Sequence, residues 1–279
     1  MTNPPNSPLG FRGKTRLGLE PVRLLAIVGL LAVAPVSEAA RINDLSVDAA
    51  TYVGGDGDDA AGGADVAPDG TLLFGGRLPS HAPGGAPAVD ILGGGDGAIV
   101  RYARDGRSAL AVARLGDAVL DLESADDGRV AVAVDGLGLV LLEPGLTAAA
   151  WHDPLPDAAR AAVGGDGAAR RVAVLTTSKE IRVFDGDGAP VGDRSFTDSV
   201  VADVAVSPDG QRVVVTGYNN RTTSGGAPVQ VPFMRAFDPT LTNLLWRAYD
   251  WTANQLVTEQ DNSLADSRGV RVAFGEDGF

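Results

Sequence analysis

The sequence contains no cysteine, so it can build no disulfide framework, thiolate nucleophile or cysteine-based metal site. Histidine is nearly as scarce: His81 and His152 stand alone, without a second histidine at metal-ligand spacing. Both are read as surface-loop residues. Lysine is limited to Lys14 and Lys179, and the basic side is otherwise arginine. Aromatic residues make up only 5% of the chain, so its core must be assembled from Val, Ala and Leu in closely packed elements. Long apolar runs are missing too, with one exception near the N-terminus.

That exception, Leu24 to Val36, is 13 residues long and follows Arg12, Lys14, Arg16 and Arg23. It falls short of the ~20 residues a membrane span needs. Ser37-Glu38-Ala39-Ala40 follows it, with small residues placed for cleavage after Ala39. A basic segment, an apolar stretch and a small-residue exit make a secretory signal peptide. Residues 1–39 are therefore expected to be removed, leaving an exported protein that is periplasmic, cell-surface or extracellular and has no stable membrane anchor.

What is present is acid, glycine and repetition. The net charge is −13, and −15 once residues 1–39, at net +2, are set aside. Such a surface repels phosphate backbones, so nucleic acid is not an expected partner. Short Val-rich runs alternate with turn residues, and the helical period of 3.6 is missing after residue 39. That is the pattern of an all-β protein.

The runs repeat. ADVAPDGTLLFGG from Ala64, LESADDGRVAVAV from Leu122, ADVAVSPDGQRVVVTGY from Ala202 and RVAFGEDGF from Arg271 share an apolar stretch, an Asp-Gly turn and a second apolar stretch. With Asp166-Gly167 placed in the same register, successive Asp-to-Asp spacings are 58, 39, 43 and 68 residues. The long gaps hold the insertions Arg77 to Gly95, Asn219 to Pro228 and Thr252 to Ser267. Without them the period is roughly 40 residues, the size of a four-stranded propeller blade. Each second half repeats as well, with turns at Arg104-Asp105-Gly106, Glu143-Pro144-Gly145, Asp185-Gly186-Asp187-Gly188 and Asp238-Pro239.

In Ser207-Pro208-Asp209-Gly210, Pro presets φ at the first corner and Gly supplies the left-handed position. This is a hairpin device, and it carries no chemistry.

These phrases resemble SBBP-type β-propeller repeats of secreted bacterial proteins. The likeness is carried by Val204-Ala205-Val206-Ser207-Pro208-Asp209-Gly210, Val213-Val214-Val215-Thr216-Gly217, Met234-Arg235-Ala236-Phe237-Asp238 and Asn243-Leu244-Leu245-Trp246. Thr51-Tyr52-Val53 and the acidic turn after it resemble the family's outer strand. The PQQ-binding, NHL and WD-repeat propellers share the same strand logic. The resemblance implies a β-propeller-like fold after the signal helix, of about four four-stranded blades and a partial fifth. They fall near 60–115, 116–155, 156–198, 199–251 and 267–279. It also implies a structural and binding scaffold, and brings no catalytic residues. The last repeat stops one residue past its turn, so the chain is expected to be a fragment or truncated product. The alternative is a five-bladed ring with a degenerate fifth blade.

The search for chemistry yields few candidates. Asp56, Asp58 and Asp59, and Asp185 with Asp187, are candidates for a weak Ca²⁺ site. They lack the calcium-loop spacing with its terminal Glu, so turn residues are the plainer reading. Otherwise no cofactor is expected. Gly93-Gly94-Gly95-Asp96-Gly97 lacks the Lys-Ser/Thr of a phosphate loop. Glu123, Glu143, Glu180, Glu259 and Glu276 are scattered, one per segment, so a glycosidase pair would have to converge from different blades. Trp151, Trp246 and Trp251 are read as packing between blades rather than as a binding patch.

The leading expectation is a secreted, non-enzymatic propeller that binds a protein or glycan ligand through a loop-bearing face formed by the insertions. The alternatives are a propeller-type glycan lyase or hydrolase, and a structural module of a longer multidomain protein. The enzyme would need two or more buried Asp or Glu around an open central pocket with Arg.

Overall fold

The computed structural model describes residues 58–79, 85–222, 228–248 and 270–274. No α-helix occurs among them, and the strands form four sheets that follow one another along the chain. The first contains β1 (Ala60–Val66), β2 (Leu72–Arg77), β3 (Ala88–Asp90), β4 (Gly97–Tyr102) and β5 (Ala109–Arg114), in the order β1-β2-β4-β5-β3. The second is β6 (Val119–Ser124), β7 (Val130–Val134), β8 (Gly138–Leu142) and β9 (Ala149–Asp153). The third is β10 (Ala158–Gly164), β11 (Arg171–Thr176), β12 (Glu180–Asp185) and β13 (Pro190–Ser195). The fourth is β14 (Val200–Val206), β15 (Val213–Thr222), β16 (Pro228–Phe237) and β17 (Leu244–Ala248). Neighbours are antiparallel throughout, apart from β3, which runs parallel to β5.

Burial follows strand position. The middle strands β7 (VAVAV) and β8 (GLVLL) are buried at every residue, the mark of strands covered on both faces. The fourth strands β9 and β13 keep exposed positions, as an outer edge would. Successive residues of β7 point to opposite faces. Val130, Val132 and Val134 pack with Leu73, Ile99 and Ala113 of the first sheet. Ala131 and Ala133 pack with Val163, Val172 and Phe184 of the third sheet. A comparable core joins Ala173, Ile181 and Val183 of the third sheet to Val204, Val215 and Phe233 of the fourth. The sheets are thus stacked face to face in chain order. The first interface is filled by Ala, Val, Leu and Ile alone, whereas the second adds Phe184 and the third Phe196, Phe233 and Phe237.

The first strands β1, β6, β10 and β14 lie side by side along this stack. They approach closely where glycine allows it: a Cβ at Gly62 would sit 1.8 Å from the Val119 carbonyl oxygen. A Cβ at Gly164 would lie 2.2 Å from the Ser207 carbonyl oxygen.

The turn chemistry holds at three of the Asp-Gly sites. Gly70, Gly128 and Gly210 have φ of 78°, 83° and 67°. Each donates its N–H to the carbonyl three residues earlier, on Ala67, Ala125 and Ser207. Asp69, Asp127 and Asp209 accept the N–H two residues on, from Thr71, Arg129 and Gln211. Asp166-Gly167 departs from this register. There the chain forms a short 3-10 turn over Gly167–Ala169 instead of a tight hairpin. The reason is legible: Gly165, with φ of 75°, already turns the chain, and its N–H donates to Pro208 of the next sheet.

Two insertions are not plain loops. Part of Arg77–Gly95 becomes β3, and Asn219–Pro228 lengthens β15 and β16 to ten residues each. Both lie between the second and third strands of a sheet. In the middle sheets the same connection is short, from Val134 to Gly138 and from Thr176 to Glu180. The insertion at 252–267 and the Thr51–Tyr52–Val53 segment lie outside the described residues, as do residues 1–39 and 275–279.

Candidate functional site: a row of carboxylates on the first strands

Among the described residues few polar side chains are buried, and the two buried carboxylates, Asp121 and Asp203, both stand on first strands. Asp121 and Glu123 sit two residues apart on β6, so they project to the same side. Asp65 lies on β1 and Asp203 on β14. Asp121 and Asp203 are 6% and 3% exposed.

Their hydrogen bonds share one logic. Asp121 accepts the backbone N–H of Ala161 on β10 at 3.3 Å, and Glu123 accepts that of Val163 at 3.3 Å. Asp65 accepts the N–H of Ser124 at 2.6 Å and its hydroxyl at 2.5 Å. Asp203 accepts the N–H of Val272 at 2.9 Å. A first strand is paired on one edge only, leaving N–H groups on the other that need acceptors. Carboxylates from the preceding sheet supply them. The order 121 to 161 and 123 to 163 also shows that β6 and β10 run in the same direction.

Two arginines complete the row. Arg271 places Nη1 3.3 Å from Asp121 Oδ1 and 3.5 Å from Asp203 Oδ1. Arg160 on β10 adds positive charge beside Asp121. Burial is the largest influence on Asp121 and raises its pKa, against the pull of Arg271 and Arg160. Asp203 is raised for the same reason, against the Val272 N–H and Arg271. Glu123 is pushed well above the ordinary glutamate range by burial and then by the nearby charge of Asp65. A carboxyl of this kind holds its proton at higher pH and can donate it.

Sequence reasoning passed over Asp65, Asp121 and Asp203, and treated Glu123 as one of five scattered glutamates. A signal was available: acidic residues inside otherwise apolar strands, in Leu-Asp-Leu-Glu and Val-Ala-Asp-Val. Such strands bury charge, and buried charge needs a partner.

The expected candidates stand elsewhere. Asp185 Oδ1 accepts the N–H groups of Asp187 at 3.0 Å and Ala189 at 2.9 Å, inside the turn from β12 to β13. Asp187 is exposed at the tip of that turn, and Asp58 is exposed just before β1. Asp59 is partly buried beside it, and Asp56 lies outside the described residues. Among the described residues, no group of three or more His, Asp or Glu side chains is placed to hold a metal ion. His152 is at the surface but on strand β9 rather than in a loop, because its segment pairs with β8, and its Nε2 lies 2.8 Å from the Leu137 carbonyl. Because a carbonyl only accepts, Nε2 is the donor there. His81 lies outside the described residues.

Gly95 and Gly97 serve close packing, since Cβ atoms there would meet the carbonyl oxygens of Gly116 and Asp117 at 1.5 Å. Glu143 pairs with Arg129 at 3.4 Å and Glu180 with Arg182 at 3.0 Å. Trp151 packs on Phe184 of the next sheet, with ring centroids 5.6 Å apart, and donates Nε1–H to the Gly186 carbonyl at 3.1 Å. Trp246 is on the outermost strand β17, and Trp251, Glu259 and Glu276 lie outside the described residues. No helix among the described residues is long and apolar enough to cross a membrane.

No protein-family model matches the chain, and no curated protein does. Among solved structures, the chain is similar to the crystal structure of Raptor from Chaetomium thermophilum, at 13% sequence identity and a TM-score of 0.45. That similarity covers 67% of this chain and 16% of the other, so the chain spans less than a fifth of that protein's length.

Proposed function

We propose that this chain is an exported, non-enzymatic β-propeller repeat scaffold of the SBBP-type, NHL-like kind, and that it binds a protein or glycan ligand. The four stacked sheets, with their first strands side by side, would be consecutive blades. The observation that carries the scaffold reading is how the buried acids are used. Asp65, Asp121, Glu123 and Asp203 each accept a backbone N–H of the following first strand or segment. Acids committed in this way hold blades together and are poorly placed to act on a substrate.

The binding surface would lie at the end of the sheets opposite the Asp-Gly turns. Within an up-and-down sheet, the connection from second to third strand leaves from the end opposite the first turn. Both described insertions, β3 with its flanks and the long β15–β16 hairpin, use that connection. Irregular surface gathered at one end of a rigid scaffold is where ligands are usually met.

One observation favours a second reading, a glycan-cleaving enzyme: Glu123 carries a raised pKa among Asp65, Asp121 and Asp203. The two readings separate in one experiment. The full chain is incubated with an immobilised glycan and peptide panel, and retention and product formation are both measured. The scaffold reading expects retention without product, lost when the β15–β16 hairpin is shortened. Product formation that disappears in Glu123→Gln would replace it with the enzyme.

A further inference from the structure

We propose that residues 270–274 form a pH-sensitive latch. Arg271 clasps Asp121 and Asp203 while these are ionised, and the segment is released, with the four sheets intact, once they are protonated.

The geometry is a clasp across non-neighbouring sheets. Asp121 belongs to the second sheet and Asp203 to the fourth, with β10 in contact with both of their strands. A single guanidinium nitrogen reaches both, at 3.3 and 3.5 Å, and the next residue donates its backbone N–H to Asp203 at 2.9 Å. The partners are unequally buried. The Arg271 side chain is 54% exposed, while those of Asp121 and Asp203 are 8% and 5% exposed. The cation can return to water at little cost, but the carboxylates cannot. An ionised buried carboxylate left without its cation is strongly disfavoured, so ionisation keeps Arg271 in place.

The charged groups facing this pair come from every strand in the row. Asp65 stands on β1, Glu123 on β6 and Arg160 on β10, with Arg271 on the latch itself. Four carboxylates face two arginines. The excess negative charge attracts Arg271 at neutral pH and favours proton uptake in acid.

Docking and folding respond to pH with opposite signs. Arg271 lowers the pKa of both acids and the Val272 N–H lowers that of Asp203, so these contacts favour the ionised forms and are lost on protonation. Latch affinity is therefore full while both acids are ionised and is lost as pH falls and they take up protons. Burial nevertheless keeps the docked values above those of the unfolded chain, so protonation does not weaken the sheets through these groups. The latch opens first.

The chain has no cysteine, so Ala273→Cys, at an exposed position, introduces a unique thiol for a nitroxide label. Spin-label mobility and far-ultraviolet circular dichroism are followed from about pH 7.5 to about pH 4.5, spanning the range of raised carboxylates. The immobile spectral component is expected to dominate at the upper end and the mobile one at the lower end, with the β signal unchanged. Arg271→Gln should be mobile at both ends. The Asp121→Asn, Asp203→Asn double variant should lose the pH dependence. A label whose mobility is the same at both ends, or one that becomes mobile only as the β signal is lost, would overturn the latch. So would a double variant that keeps the wild-type transition.

Discussion

The carboxylate of Glu123 accepts the backbone N–H of Val163 at 3.3 Å, joining the first strand of the second sheet to the first strand of the third. Two residues earlier, Asp121 makes the same bond to Ala161. An ordinary sheet would fill those N–H groups with another strand. Here side chains fill them, so two sheets can meet face to face while their first strands remain separate.

The position of Glu123 sets a pH dependence. Its pKa is raised above the unfolded value by burial, so its contribution to stability is complete below the ordinary glutamate range. It is lost as pH rises through the folded value. Unfolding free energy from denaturant titrations should therefore fall between mildly acidic and neutral pH. Glu123→Gln preserves the acceptor for Val163 and removes the charge, so this part of the fall should vanish. Parallel pH profiles for the two proteins would show that Glu123 does not titrate in this way.

The Asp-Gly turns differ in what surrounds them. Gly128 has φ of 83°, and a Cβ there would meet only Pro144, at 3.6 Å. Gly128→Ala should cost about 1 kcal/mol, the strain of a left-handed alanine. At Gly210 a Cβ would lie 2.0 Å from the Ala169 carbonyl oxygen. Gly210→Val adds that overlap to the strain and should cost about 3 kcal/mol or more. Denaturation midpoints of the two variants test the order; equal losses would contradict it.

Arg170 is buried at 4% exposure and pairs with Asp127, which belongs to the turn between β6 and β7. Its Nε is buried without a hydrogen-bond partner. Asp127→Asn leaves this guanidinium without its counter-charge and should destabilise by about 1–3 kcal/mol, moderated because Asp127 is partly exposed. Arg170→Met with Asp127→Asn removes the stranded charge and should recover most of that loss. A double-mutant cycle in urea measures it, and simple additivity would count against the pair.

Trp151 supplies an aromatic contact between the second and third sheets, against Phe184 and the Gly186 carbonyl. Trp151→Ala should cost about 3 kcal/mol. Trp151→Phe should keep part of the ring packing and lose the rest together with the hydrogen bond, about 1–2 kcal/mol. Thermal unfolding of both variants checks the ranking.

Much of the fold was readable residue by residue. The left-handed φ at Gly70, Gly128 and Gly210, and the Asp oxygens that brace those turns, depend on neighbours within four positions. The all-β class and a division into units of about four strands follow from the same punctuation, while the fifth strand of the first sheet does not. Asp166-Gly167 misled because its letters match the other turns, while Gly165 and the contact to Pro208 redirect the chain. Sequence also failed to show that the insertion after Arg77 would yield a parallel strand, because β3 pairs with residues more than twenty positions away.

The sequence alone therefore determined most of the strands and the Pro-Asp-Gly and Asp-Asp-Gly turns, because these depend on local dihedral preference and on alternation along one strand. The roles of Asp65, Asp121, Glu123, Asp203 and Arg271 were decided only by tertiary structure. Arg271 meets Asp121 across 150 residues of chain, and a carboxylate becomes a tie between strands only where an N–H and a low-dielectric interior are brought to it.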